Sequence, residues 1–284
     1  MAAWQRRSAA SGDSLTIATQ NVDGPHERTG AVVPGRCLRR WSGPTMVTMA
    51  ATPQTEIHPT VEAVQAELAS LEDAKMRAAN EKRGDDHGVN LSKLRGVAKA
   101  VKLPPAPRHD FALELWATGD TATRLVALLI CSPKRFGVGE LDAMIREGRA
   151  PKVHDWLVNY VAKKSPHLEE LRQRWAGDPD QLVAAAGWDL ISHQVYKKPE
   201  VLDLPALLDT IESRMQEAPK DLQWSMNNTL AAIGIENPQV RERALAIGER
   251  LEVLKDYPTP PNCTSPFAPI WITEIVKRNE ERAG

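Results

Sequence analysis

Cysteine is scarce in this 284-residue chain, which holds only Cys37, Cys131 and Cys263, odd in number and far apart. They form neither a disulfide framework nor the paired spacing of a structural zinc site, and they suit a reducing cytoplasm. Long apolar runs are missing as well. The longest clean run, residues 125–131, is far shorter than the roughly 20 residues a membrane-spanning helix needs, so no membrane role is expected. Charge of one sign is also missing, since the formal net charge is only -1. Aromatic residues make up 5% of the chain, yet Trp supplies eight of them against three Tyr and three Phe. In a helical protein Trp fills gaps between helices, and it also stacks on bases and sugars.

What is present is helical periodicity, strongest over residues 152–198. There Val153, Trp156, Leu157, Tyr160 and Val161 recur at three- and four-residue steps, as do Leu168, Leu171 and Trp175, then Leu182, Val183, Ala186, Leu190 and Val195. The stretch also echoes itself. The pairs Lys163-Lys164 and Lys197-Lys198 lie 34 positions apart, the length of one helix-turn-helix repeat. Prolines at 166, 199 and 238 fall where successive helix pairs must turn, because proline cannot continue a helix. Each pair alone has an apolar face it cannot bury, so stacking of neighbours must supply the core. The expected fold is all-α, a right-handed α-solenoid of HEAT-like repeats over residues 56–284, with no strand. A Pro-rich arm and a short helix at 256–284 would cap the last repeat.

Residues 1–55 are unlike the rest, with no sustained periodicity and an excess of Arg6, Arg7, Arg28, Arg36, Arg39 and Arg40 over acids. They are expected to be disordered, and Met46 or Met49 to be the working start. From Thr60 an amphipathic helix is expected to run through residue 82, with Thr60 as its N-cap. Asn90 would cap the next helix and Asp120 a later one, and residues 104–110 would separate two helices. Asp85, Asp86 and His87 invite a metal reading. Three adjacent residues between glycines without a partner motif make a polar loop the better expectation, and neither metal nor cofactor is expected.

Charge is uneven along the chain. Residues 93–198 carry 17 Lys and Arg against 12 Asp and Glu, and residues 199–257 carry 6 against 11. A basic middle beside an acidic end permits a phosphate-facing surface. Asp189 and His193 share a helix face at i,i+4, as a carboxylate-oriented base or as a local ion pair. Trp156, Trp188 and Trp224 recur once per repeat, as packing or as base contacts. Asn227 and Asn228 are disfavoured in a helix interior, so at least one should face a groove or hold a buried hydrogen bond. Lys163, Lys164, Lys197 and Lys198 sit at helix C-termini, where they meet the helix dipole or phosphates.

Several of these segments carry a resemblance. Leu115-Trp116 ahead of the Arg124, Leu128, Leu129 helix, Trp156 on the next repeat, and RWAGDPDQLVAAAGWDL resemble the DNA alkylation repair family, the AlkD-like HEAT-repeat alkylpurine DNA glycosylases. LQWSMNNTLAAIGI and CTSPFAPIWI resemble a divergent branch of it, and the resemblance spans about residues 61–278. It implies a C-shaped solenoid whose concave face holds double-stranded DNA, and release of cationic N-alkylated purines of the 3-methyladenine and 7-methylguanine type. A tryptophan pair and a carboxylate would stabilise the developing sugar cation. It further implies a monomeric, cytoplasmic, nucleoid-associated bacterial protein.

The site residues depart from the family's pattern. With Trp156 as the first tryptophan, the carboxylate position holds Tyr160, the arginine pair becomes Ala184 and Ala185, and the second tryptophan falls near Leu230. A rival register from Trp188 places Ser192, Met226 and Asn227 at those positions and the later tryptophan near Trp271. The first register is preferred because its flanking helices match better. The candidate catalytic residues are therefore Trp156, Asp155, Trp188 and Asp189. The candidate DNA contacts are Lys163, Lys164, Lys197, Lys198, Trp224, Asn227 and Asn228. The alternative is a catalytically silent scaffold that binds damaged or branched DNA, or a protein partner.

Overall fold

Short polar side chains set six of the thirteen helix starts among the described residues, Thr60 among them. Asp73, Asp120 and Asp203 each accept the backbone N–H three residues on, at 2.8, 2.7 and 3.0 Å, and Asn90 and Asp180 accept the one two residues on. A donor left without an intrahelical partner is satisfied each time, worth about 1 kcal/mol per cap. The computed structural model describes residues 60–260 and 263–283, all within one compact unit, Ala50–Gly284. The expectations for residues 1–55 lie outside the described residues.

In chain order the helices are α1 (Val61–Ser70), α2 (Ala74–Glu81), α3 (Leu91–Ala100), α4 (Pro105–Ala117), α5 (Thr121–Ile130), α6 (Val138–Glu147) and α7 (Pro151–Trp156). Then follow α8 (Leu168–Trp175), α9 (Gln181–Lys197), α10 (Leu204–Arg214), α11 (Lys220–Glu236), α12 (Arg241–Leu251) and α13 (Ala268–Ala283). No strand occurs among the described residues. Two local expectations are corrected. The helix expected to run from Thr60 to residue 82 breaks at residues 71–73, because the Asp73 carboxylate captures the Met76 amide and starts α2. The proline-rich stretch 104–110 separates nothing; Pro105 opens α4, where a missing N–H costs no hydrogen bond.

The helices form two layers. On one side α6 packs on α8 and α10 on α12, while α4 lies on α5, α8 on α9, and α10 and α12 on α11 of the other side. Along the other, the line runs from α3 to α5, to α7 and the turn after it, then α9, α11 and α13. The apolar interior comes in two clusters. One runs from Val64 to Leu190 and the other from Ala184 to Ile272. They meet at α9, which gives Val183, Ala186 and Leu190 to the first and Ala185, Trp188, Ile191 and Val195 to the second. A helix apolar on nearly every side is the one that sits mid-array.

Close approach of α8 to α9 depends on one missing side chain. A Cβ on Gly187 would lie 2.2 Å from the Ala176 nitrogen and 2.6 Å from its Cα. Those are backbone atoms, which cannot swing aside. Gly187→Ala should therefore lower unfolding free energy by about 3 kcal/mol, a typical cost of overpacking a close contact, as read from urea denaturation. An unchanged midpoint would show that α8 and α9 can separate freely.

Candidate nucleic-acid interface

The odd-numbered layer gathers polar side chains from α7 and the turn after it, from α9 and from α11. The first group begins at Pro151, which opens α7. The buried Asp85 carboxylate reaches 67 residues along the chain to accept the Lys152 amide at 2.8 Å, which satisfies a second free donor of α7. Burial raises the pKa of Asp85 despite that bond. The loop around it is pinned by Asn80, whose amide donates to the His87 carbonyl at 2.8 Å. Asp85 and His87 thus act as a clip on α7. Among the described residues no group of three or more His, Cys, Asp or Glu could hold a metal ion.

After Trp156 the helix widens into a π turn, Leu157–Val161, and then tightens into a 3₁₀ turn, Ala162–Lys164. Such bulges frequently accompany functional sites. This one carries a ladder of polar side chains at four-residue steps. Asn159 donates to the Asp155 carboxylate at 2.6 Å, and Lys163 donates to the Asn159 carbonyl oxygen at 2.7 Å. Lys152 adds a cation 3.7 Å from Asp155.

α9 supplies the second group. Asp189 is half-buried, and burial raises its pKa. The Lys163 ammonium and a hydrogen bond from Ser225 on α11 act the other way, while the charge on Asp155 adds to the rise. One turn on, His193 is pushed down to about 4, first by burial and then by Lys163 and Lys197. Its imidazole is therefore neutral at pH 7. Lys163 thus acts on both Asp189 and His193, which brings Asp155, Asn159, Lys163, Asp189, His193 and Ser225 into one constellation.

The other expected residues are dispersed around it. Trp156 and Trp188 are each only 3% exposed and belong to different apolar clusters, so neither offers a face to a base as placed. Trp188 also fixes α9 to α11 by accepting the Thr229 hydroxyl on its carbonyl at 3.1 Å. Asn227 is 1% exposed and donates to the Pro266 carbonyl at 2.8 Å, so it tethers the C-terminal arm and is closed to DNA. Asn228 is half-buried, with its side-chain oxygen buried and without a partner. Trp224 is half-buried and packs edge-on against Tyr257, ring centres 5.3 Å apart. Lys164, Lys197 and Lys198 are exposed. In either register of the resemblance, the arginine positions are closed as well. Ala184, Ala185 and Met226 are buried in the second cluster.

Sequence reasoning missed Asn159 and Ser225. The spacing of Asp155, Asn159 and Lys163 was a usable signal for the first, being one helical stripe. Ser225 had none, because its partner lies on another repeat.

An array of stacked helix pairs is the architecture of the HEAT-like repeat proteins. A solved structure described as belonging to a new family related to the HEAT-like repeat DNA glycosylases, with affinity for branched DNA structures, superposes with a TM-score of 0.63. It is 21% identical to this chain, and the match covers 77% of this chain and 94% of that one. The chain belongs to the DNA alkylation repair enzyme family, whose model matches residues 64–272. A comparison with curated proteins found no match. No described helix is long and apolar enough to cross a membrane.

Two measurements check this geometry. An NMR titration of the imidazole should place the His193 midpoint near about 4, and Lys163→Ala should move it upward, because a nearby cation is removed. A midpoint indifferent to Lys163 would separate the π turn from α9. Asn227→Ala should cost about 1–3 kcal/mol of stability by leaving the Pro266 carbonyl unpaired, with DNA affinity unchanged. A selective loss of DNA affinity would instead make Asn227 a contact.

Proposed function

We propose that this chain is a DNA-binding protein whose polar cluster on the odd layer meets duplex DNA distorted by damage or branching. The observation that carries it is the division of labour among the cations. Arg146, Arg149, Arg172, Arg243 and Arg250 are each paired with a carboxylate within the scaffold. Lys163, Lys164, Lys197 and Lys198 form no ion pair among the described residues, and they stand at the C-terminal ends of the 3₁₀ turn and of α9. Unpaired cations along one edge are what a phosphate backbone needs, and their counterions are released when it binds. The affinity for branched DNA ascribed to the structurally similar family favours a bent or forked duplex over a straight one.

A second reading, an N-glycosylase acting on cationic N-alkylated purines of the 3-methyladenine and 7-methylguanine type, is favoured by one feature. Asp155 and Asp189 lie close enough for the charge of one to act on the other, and an anion there would stabilise an oxocarbenium-like sugar as the base leaves. In that reaction Trp156 and Trp188 serve as buried walls that hold the carboxylates in place.

The test uses the full chain and DNA treated with a methylating agent. Binding that weakens by about 10³-fold or more between about 50 and about 200 mM salt is expected if several phosphates are contacted. Salt-insensitive or absent binding rejects the DNA reading. Release of free methylated purine above the spontaneous rate, lost in Asp189→Asn while binding persists, selects the glycosylase. Binding without release selects the non-catalytic form.

A further inference from the structure

We propose that Arg95, Tyr160 and Lys164 form a preorganised seat for one phosphate group of the DNA backbone. This rests on the DNA-binding reading above and adds a specific site to it. The three residues come from distant parts of the chain. Arg95 lies on α3, and Tyr160 on the π turn 65 residues later. α5 touches both elements and brings them together.

The geometry is that of two cations on an aromatic platform. The Arg95 guanidinium carbon sits 5.1 Å from the centre of the Trp156 ring, and its Nη2 donates to the Tyr160 hydroxyl oxygen at 3.2 Å. The Lys164 ammonium lies 5.4 Å from the centre of the Tyr160 ring. The two rings meet edge to face, with centres 5.2 Å apart, and Trp156 is locked in the first apolar cluster. The platform is therefore rigid, and a ligand meets donors already in place.

Neither cation has an acid partner among the described residues, although both are exposed. Elsewhere an arginine of this chain placed over an indole does have one. Arg124 stands 4.6 Å from the Trp116 ring centre and pairs with Glu147 at 3.4 Å. The Arg95 position repeats that stacking and leaves the acid out. Two uncompensated like charges beside one ring pair repel each other, and an anion between them turns that repulsion into attraction.

The chemistry of the donors selects the anion. Arg95 retains Nε and Nη1, Lys164 retains its ammonium hydrogens, and the Tyr160 oxygen, already accepting from Arg95, has its own hydrogen free to donate. All the free groups are donors. A phosphate, with several acceptor oxygens and a fork-matching geometry, satisfies them together.

The experiment measures DNA affinity of the full chain as a function of salt by fluorescence anisotropy. Arg95→Ala and Lys164→Ala should each weaken binding about 10-fold near 100 mM salt and flatten the log–log salt slope by about 1, as loss of one phosphate contact requires. Arg95→Lys should keep the slope but not the full affinity, because it retains the charge and loses the fork. Arg214→Ala, an exposed arginine on α10, should leave both unchanged. Thermal melts confirm that each variant is folded. Native affinity and slope in both Arg95→Ala and Lys164→Ala would overturn the seat while leaving DNA binding standing. If the native chain binds no DNA, the proposed function fails. Titration with inorganic phosphate, followed at the Tyr160 ring signals, then decides the seat alone: a saturable shift supports an anion site for free phosphate, and no shift rejects it.

Discussion

The structure depends on α9 being buried on both sides. A repeat helix has one apolar stripe to hide, but α9 lies between two apolar clusters and contributes to each. That position requires the absence of a side chain at Gly187, where backbone atoms of α8 come within van der Waals distance. It also requires a hydrogen bond from Thr229 to the Trp188 carbonyl, which holds α11 against α9. With both flanks fixed, only a narrow strip of α9 remains open. Asp189 and His193 occupy that strip, so their placement follows from packing rather than from any local preference of their own.

Charge follows the same division between scaffold and surface. Arg146 joins Asp142 and Asp178, and Arg243 and Arg250 converge on Glu212, so neighbouring elements of the even layer are tied together. Exposed pairs of this kind stabilise by a fraction of a kcal/mol each. Their larger consequence is to use up carboxylates on the even layer. Lys163, Lys164, Lys197 and Lys198 form no ion pair among the described residues, so a chain of nearly zero net charge still presents a locally basic stretch.

The helix starts were legible because a cap is a local event. Thr60, Asn90 and Asp120 each bind an amide within three residues, and the prolines at 166, 199 and 238 mark the turns as expected. Where the reading failed, two local signals competed. Helix-forming residues run on past the apolar stripe of α1, and only the Asp73 carboxylate, which caps α2, divides them. The site was less legible. Asp189 and His193 were visible as an i,i+4 pair, but the one-per-repeat tryptophans were compatible with either facing a ligand or filling the core. Burial of Trp156 and Trp188 decided that, and it is a property of neighbouring helices.

The sequence by itself determined the all-helical repeat architecture, the turn positions and the family, because periodicity, caps and prolines act within a few residues. Only the tertiary structure decided which polar groups meet. The ladder from Asp155 through Asn159 to Lys163 faces Asp189 and His193 because two repeats stack, and Arg95 reaches Tyr160 because α5 draws together helices 65 residues apart. Contacts at such separations are set by the packing of whole helices, and no local pattern of residues encodes them.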